Sequence, residues 1–174
     1  MKIYLDTGFF IDYFSRRSMV TINLRVDSRR GRSIADIQNA ADLVIKKLSR
    51  HESITSVISS LEYADNTFKE LKKFSFGLPD STIENFMKNK LEVNILKKRC
   101  ERDNIKIIPL DLDILTESLN NPEYDELEIY DAIHIETART YKVDIMVSTD
   151  DDLLKYDRKF GLRIVDSDIA LSLL

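Results

Sequence analysis

Short apolar segments alternate with segments of helical periodicity along the whole chain. Residues 2–6 predict a first strand that ends before Thr7-Gly8, and the apolar stretch from Phe9 to Phe14 begins a helix. Further strands are predicted at 53–57, 106–110, 144–148 and 162–165. Because the connections between them are too long for hairpins, the pattern favours a parallel sheet covered by helices on both faces.

Several of the connecting segments carry recognisable helix signals. Apolar residues from Ile37 to Leu48 recur at helical spacing after a potential Ser33 cap. Ser59 or Ser60 is expected to cap a helix with Glu62 in its first turn. Other helices are predicted at 113–119, from near residue 130, and on both sides of a loop at 76–79.

Length and composition indicate one globular domain spanning residues 1–174. The chain has 43% hydrophobic residues but only four glycines and three prolines, which is typical of a regular, well-packed protein. Asp6 and Asp12 interrupt the apolar N-terminus, so we expect neither a signal peptide nor a membrane span, and a cytoplasmic protein. A single cysteine, Cys100, excludes an internal disulfide and is interpreted as a bystander.

Charge is distributed unevenly along the sequence. Residues 1–106 hold 20 Lys and Arg against 14 Asp and Glu, whereas residues 107–174 hold 6 against 16. This split is typical of an acidic, cation-binding pole beside a basic surface for phosphates, although surface charges can also fall this way by chance. The stretch 15–32 is interpreted as a loop whose arginines are either solvated or bind RNA: Arg25, Arg29, Arg30 and Arg32.

Four carboxylates fall where strands end or helices begin. Asp6 follows the first strand, Glu62 lies in the helix after the second, Asp131 begins a later helix, and Asp150 follows the best buried strand. In parallel sheets these positions share one edge, where ligands bind. Each residue alone also has a local interpretation, as a helix cap, a favourable first-turn acid or a solvated turn. Their joint placement favours one acidic pocket.

Converging carboxylates repel one another unless a cation accompanies them. Oxygen ligands suit Mg²⁺ or Mn²⁺, and such ions support phosphodiester hydrolysis without a protein nucleophile. We therefore predict that Asp6, Glu62, Asp131 and Asp150 are catalytic and metal-binding. Asp152 is a further candidate ligand, and three hydroxyl residues are expected to orient the ligands: Thr7, Ser148 and Thr149.

Other candidate residues have two interpretations. His134, three residues after Asp131, is either a general base or, as we favour, a structural histidine with satisfied hydrogen bonds. Tyr124 and Tyr130 either stack on nucleic-acid bases or, more commonly for such residues, contribute to packing.

Four motifs resemble those of PIN-domain nucleases of the VapC toxin type. They are Tyr4-Leu-Asp-Thr7, Thr55-Ser-Val-Ile-Ser-Ser-Leu-Glu62, Asp131-Ala-Ile-His134 and Val147-Ser-Thr-Asp-Asp-Asp-Leu153. Their order and spacing agree with the family across nearly the whole chain. The resemblance implies a three-layer α/β/α sandwich with a central parallel sheet, Mg²⁺ or Mn²⁺ as cofactor, and RNA cleavage by a homodimer that an antitoxin protein neutralises. The segments near 15–32 and 66–102 look like insertions relative to the compact toxins.

Two other functions remain open at this point. One is a PIN-like module without catalysis that binds RNA or a protein partner. The other is an aspartyl-phosphate phosphatase with Asp6 as nucleophile, which is disfavoured because Gly8 stands where that chemistry commonly uses a second Asp.

Overall fold

A five-stranded parallel sheet forms the centre of the protein. The structure is a computed structural model that describes residues 1–15, 34–74, 79, 81–82 and 92–174. Its strand order is β3-β2-β1-β4-β5, and every pairing is parallel, as predicted. The strands are β1 (Lys2–Leu5), β2 (Glu52–Ser56), β3 (Ile105–Ile108), β4 (Ile145–Val147) and β5 (Ile164–Val165).

Helices connect these strands within the described ranges. They are α1 (Thr7–Ser15), α2 (Ile34–Leu48), α3 (Val57–Phe74), α4 (Glu92–Arg102), α5 (Leu112–Asn120), α6 (Ile129–Thr140), α7 (Asp151–Leu154) and α8 (Ser167–Leu173), with a 3₁₀ turn at Pro122–Tyr124. In this part of the chain, no helix is both long enough and apolar enough to cross a membrane.

Alternating side chains of the strands separate two hydrophobic cores. Ile3 and Leu5 of β1 pack into one core with residues of α1, α2, α4 and α8, whereas Tyr4 packs into the other with residues of α6 and α7. Successive side chains of a strand point to opposite faces, so each face of the sheet needs its own helical layer. The fold is therefore a three-layer α/β/α sandwich.

The helix after β2 starts earlier than the sequence indicated. Helix α3 begins at Val57, directly after the strand, so the prediction that Ser59 or Ser60 caps it with Glu62 in the first turn is wrong. Instead the Ser56 hydroxyl accepts a hydrogen bond from the backbone N–H of Ile58, while both later serines are buried. Glu62 consequently lies in the second turn.

The ends of several elements also differ from the predicted limits. Strand β3 ends at Ile108, before Pro109, and occupies the sheet edge that a proline tolerates. Strand β5 has only two residues, and α8 was not anticipated. Several sequence features lie outside the described residues: the potential Ser33 cap, the loop from Phe76 to Leu78, and the arginines Arg25, Arg29, Arg30 and Arg32.

Candidate functional site

The carboxyl ends of the two central strands border a small pocket of about 100 Å³. Leu5 of β1 pairs with Val147 of β4, so the residues that follow these strands come together at one edge of the sheet. Among the residues that line the pocket are Asp6, Glu62, Asp131 and Asp150. The structure thus brings the four predicted carboxylates to one place.

Asp6 is buried, with 3% of its surface exposed. Its Oδ1 accepts a hydrogen bond of 2.8 Å from the backbone N–H of Phe9, so it also caps α1. Its Oδ2 accepts a hydrogen bond from the hydroxyl of Ser148. Burial raises the pKa of Asp6 to about 6 although these hydrogen bonds oppose the shift. Asp6 therefore combines the local capping role with a place in the pocket.

Glu62 is held by two donors on the same oxygen. His134 Nε2 lies 2.6 Å from Glu62 Oε2, and the hydroxyl of Thr7 donates a short hydrogen bond to that oxygen. Burial alone would raise the pKa of Glu62, but the hydrogen bonds and charge of His134, together with the Thr7 bond, hold it below its ordinary value. Glu62 is the pocket carboxylate that these contacts stabilise as an anion.

Asp131 lines the pocket from the first turn of α6, and Asp150 lines it from the loop after β4. Burial, followed by the negative charge of Asp150, raises the pKa of Asp131 to about 7. Asp150 is exposed, and its Oδ1 accepts a 2.7 Å hydrogen bond from the backbone N–H of Asp152, which caps α7. Burial and its acidic neighbours therefore destabilise the anionic form of the Asp131 carboxyl in this pocket.

Two further predicted residues lie beside this pocket. Asp152 is exposed and forms an ion pair with Lys155 one turn later in the chain. The Thr149 hydroxyl oxygen lies where a Cβ on Gly8 would approach it to 2.7 Å, and that Cβ would also stand 3.5 Å from both Asp6 oxygens. A side chain at Gly8 would therefore fill space beside Asp6 that the glycine leaves open.

A larger cavity of about 570 Å³ shares Glu62, Asp131 and Asp150 with the small pocket. Its lining from the described residues contains seven carboxylates and two lysines, Lys69 and Lys155. Each lysine forms an ion pair with a carboxylate of the same cavity. The cavity is accordingly an acidic cleft that opens from the four carboxylates.

The two tyrosines considered for base stacking have different surroundings. Tyr124 is buried, and its hydroxyl lies 2.6 Å from Glu136 Oε2 and 2.6 Å from an Arg139 nitrogen, which confirms the packing interpretation. Tyr130 is 44% exposed and lines the larger cavity beside Asp131. Only Tyr130 of this pair is placed to meet a ligand.

His134 and Cys100 are both buried. Each ring nitrogen of His134 has a hydrogen-bond partner, Nδ1 with the hydroxyl of Tyr4 and Nε2 with Glu62, as expected of a structural histidine. Sequence reasoning missed Tyr4, although a tyrosine in a buried strand signals that its hydroxyl needs a partner. Burial raises the pKa of the Cys100 thiol to about 12, which leaves it protonated and unreactive.

The side chains do not converge tightly enough to form a preformed metal centre. Within residues 1–15, 34–74 and 92–174, no group of three or more His, Cys, Asp or Glu side chains has the arrangement of a metal site. The carboxylates line one pocket, but Glu62 is engaged by His134 and Thr7, and Asp6 by Ser148.

Comparison with protein families agrees with this fold. Residues 3–159 match the PIN domain family. This chain belongs to the PIN-domain family. No curated protein matches the sequence. PIN domains are generally nucleases that act on nucleic acids and use divalent metals, so the family indicates a nuclease-type function for this PIN domain.

Proposed function

We propose that this PIN domain is a Mg²⁺- or Mn²⁺-dependent endoribonuclease that hydrolyses phosphodiester bonds in RNA. The observation that carries the proposal is the meeting of Asp6, Glu62, Asp131 and Asp150 around one pocket at the carboxyl edge of the sheet. These residues come from four separated parts of the sequence. Local capping or first-turn preferences explain Asp6, Asp131 and Asp150 singly, but they do not explain Glu62 in the second turn of α3 and give no reason for all four to share a pocket.

The donor set fits a hard divalent cation. Carboxylate oxygens are the ligands that Mg²⁺ and Mn²⁺ prefer. The pKa values of Asp6 and Asp131 are raised to about 6 and about 7, chiefly by burial, so a nearby cation would favour their anionic forms. Gly8 leaves open space against both Asp6 oxygens. When bound, such an ion would acidify water and neutralise charge on the scissile phosphate.

The residues around the carboxylates support this assignment by orienting them. Ser148 and the Phe9 backbone hold Asp6, while Thr7 holds Glu62. Thr149 borders the space left by Gly8. Asp152 is proposed as a further ligand, which requires its carboxylate to leave the ion pair with Lys155.

Two sets of residues are proposed to contact RNA. Tyr130 presents an exposed ring beside Asp131, where a base of single-stranded RNA can stack. The acidic cleft supplies little positive charge, so phosphate binding is assigned to a basic segment elsewhere, with these candidates: Arg25, Arg29, Arg30 and Arg32. A toxin role, with a homodimeric form and an antitoxin partner, rests on the motif resemblance alone.

A cleavage assay with charge-neutral variants tests the nuclease proposal. The parent protein should cut labelled single-stranded RNA with Mn²⁺, stop when EDTA is added and resume when Mn²⁺ is in excess. Asp6→Asn and Asp131→Asn should lose detectable cleavage, because each removes an anionic ligand while keeping the size of the side chain. Thermal unfolding followed by circular dichroism should show that both variants are folded.

Asp113→Asn is the matched control, since Asp113 is exposed in the first turn of α5 and lines neither cavity. This variant should cleave like the parent. Cleavage by the two pocket variants at the parent rate would contradict the proposal and indicate a contaminating nuclease or another site. RNA binding without Mn²⁺-dependent cleavage by the parent would instead favour the non-catalytic PIN-like module.

A further inference from the structure

His134 has contacts that a histidine used only for packing does not need. The ring is 2% exposed and lies between two polar groups from other elements. Nδ1 is 2.6 Å from the hydroxyl oxygen of Tyr4 in β1, and Nε2 is 2.6 Å from Oε2 of Glu62 in α3. The Tyr4 ring also packs edge-on against the imidazole, with ring centroids 5.7 Å apart. The imidazole therefore links the sheet to a pocket carboxylate.

The hydrogen bonds around Tyr4 give this chain a direction. A carboxylate oxygen only accepts hydrogen bonds, so the hydrogen between His134 Nε2 and Glu62 Oε2 belongs to Nε2. In the neutral imidazole Nδ1 is then an acceptor, and the hydroxyl of Tyr4 donates to it. The hydroxyl of a tyrosine on the central strand thus stabilises the histidine tautomer that holds Glu62.

The two hydrogen-bond donors on Glu62 limit the positions of its other carboxylate oxygen. His134 and Thr7 both donate to Oε2 of Glu62, and within the described part of the chain no hydrogen bond is formed by Oε1. A glutamate has three flexible torsions, and fixing one oxygen leaves the other in a limited set of positions. Groups that orient ligating residues in this way commonly change metal affinity when they are removed.

We infer that His134 is a positioning residue, which orients Glu62 for cation binding through the chain from Tyr4 to His134 to Glu62. This inference rests on the proposed function, because it assigns Glu62 as a cation ligand. It differs from a general-base role, since Nε2 is engaged by Glu62 and the buried ring transfers no proton to the substrate. The hydrogen bond from Nε2, rather than the volume of the ring, is the active feature.

Two substitutions separate the hydrogen bond from the packing. His134→Leu fills the buried space without a donor, whereas His134→Gln retains an N–H group at a position comparable to Nε2. Tyr4→Phe keeps the aromatic ring in the core but removes the hydroxyl that stabilises the tautomer. Glu62→Gln serves as the reference for the loss of the ligand itself.

Mn²⁺ binding by calorimetry is the measurement, with unfolding in EDTA as the check on folding. Compared with the parent, His134→Leu should bind Mn²⁺ about 10- to 100-fold more weakly. His134→Gln should recover most of this affinity, and Tyr4→Phe should fall between them. If His134→Leu does not fold, the Gln and Phe variants still decide the question through the same ordering of affinities.

Three outcomes would overturn the inference. One is parent-like Mn²⁺ affinity in folded His134→Leu. Another is an affinity of folded His134→Gln as low as that of Glu62→Gln, because the donor would then be irrelevant. The third is a parent protein that binds no Mn²⁺, which would overturn the proposed function as well and is thereby distinguished from the first two.

Discussion

The hydroxyl of Ser148 donates a hydrogen bond to Oδ2 of Asp6 and so joins the ends of two neighbouring strands. The same hydroxyl oxygen accepts a 3.0 Å hydrogen bond from the backbone N–H of Asp150. One serine therefore sets the distance between the carboxylate that follows β1 and the acidic turn that follows β4. Both contacts are buried or partly buried, where the loss of a hydrogen-bond partner is most unfavourable.

Replacing Ser148 by alanine should lower the free energy of unfolding by about 1 to 3 kcal/mol. The buried Asp6 carboxyl would lose a donor, and a bond to its charged form is stronger than one to its neutral form, so the loss should grow as pH rises. Denaturant unfolding in EDTA at several pH values measures this loss of unfolding free energy. Ser172→Ala, which removes an exposed hydroxyl that donates to the backbone carbonyl of Ile169, is the control and should change little. Equal effects in both variants would contradict the assigned role of Ser148.

Replacing Gly8 by alanine should disturb the pocket beside Asp6, because Gly8 lines that pocket. The new Cβ would meet the Thr149 hydroxyl oxygen at 2.7 Å, so either the Thr149 side chain must rotate away or the loop after β4 must shift. Overpacking of this kind destabilises proteins by about 1 to 3 kcal/mol. Gly8→Ala should therefore lower stability in EDTA and weaken Mn²⁺ binding.

The double variant Gly8→Ala/Thr149→Ala provides the control, because it removes the atom that the new Cβ meets. The double variant should lose less unfolding free energy than the two single variants lose together. A double-mutant cycle measures this difference. Strictly additive effects would show that the contact between Gly8 and Thr149 is not the cause.

The metal-free protein should become less stable as pH rises from about 4 to about 7, between the unfolded and the folded pKa values of two pocket aspartates. Burial raises the pKa of Asp6 to about 6, and burial with the Asp150 charge raises that of Asp131 to about 7. The folded protein thus holds protons that the unfolded chain releases near pH 4, and this stabilisation disappears as pH passes the folded values. For Asp6 alone the effect is on the order of 3 kcal/mol.

Two neighbouring groups also contribute to the pH dependence of stability. The raised pKa of His134, which results from Glu62 against the opposing effect of burial, acts in the same direction as the two aspartates. Glu62 has a lowered pKa and affects stability only at more acidic pH. Denaturant unfolding at several pH values in EDTA measures the slope, and excess Mn²⁺ should reduce it. Asp6→Asn should also reduce it, and a slope unchanged by that variant would count against the assignment.

Replacing Tyr130 by alanine should weaken RNA binding while leaving the fold intact. Loss of a stacked base corresponds to about 1 to 3 kcal/mol, or roughly fivefold to a hundredfold in Kd. Tyr130→Phe should bind like the parent because it keeps the ring. Leu119→Ala, at an exposed position that lines neither cavity, is the control. Filter binding of single-stranded RNA gives the Kd, measured with all variants carrying Asp6→Asn so that the RNA is not cleaved. If Tyr130→Ala bound RNA as tightly as the parent, Tyr130 would not contribute to RNA binding.

Much of the architecture follows from the sequence alone. The alternation of apolar strands and periodic helices predicted the parallel sheet, because both patterns depend on local spacing. The same reasoning placed Asp6 and Asp150 after strands and Asp131 in a first helical turn. It misplaced the start of α3, because a serine can cap a helix or lie buried inside one, and local sequence does not distinguish the two. The arginines of segment 15–32 remain a prediction.

What the sequence by itself determined was which residues follow each strand and therefore which carboxylates share an edge of the sheet. Tertiary structure decided how those carboxylates are held: His134 lies 130 residues from its partner Tyr4 and 72 from its partner Glu62. It also decided that Asp6 and Asp131 have raised pKa values while Glu62 has a lowered one. Hydrogen bonding and burial depend on groups brought together from distant parts of the chain, so no local pattern encodes them.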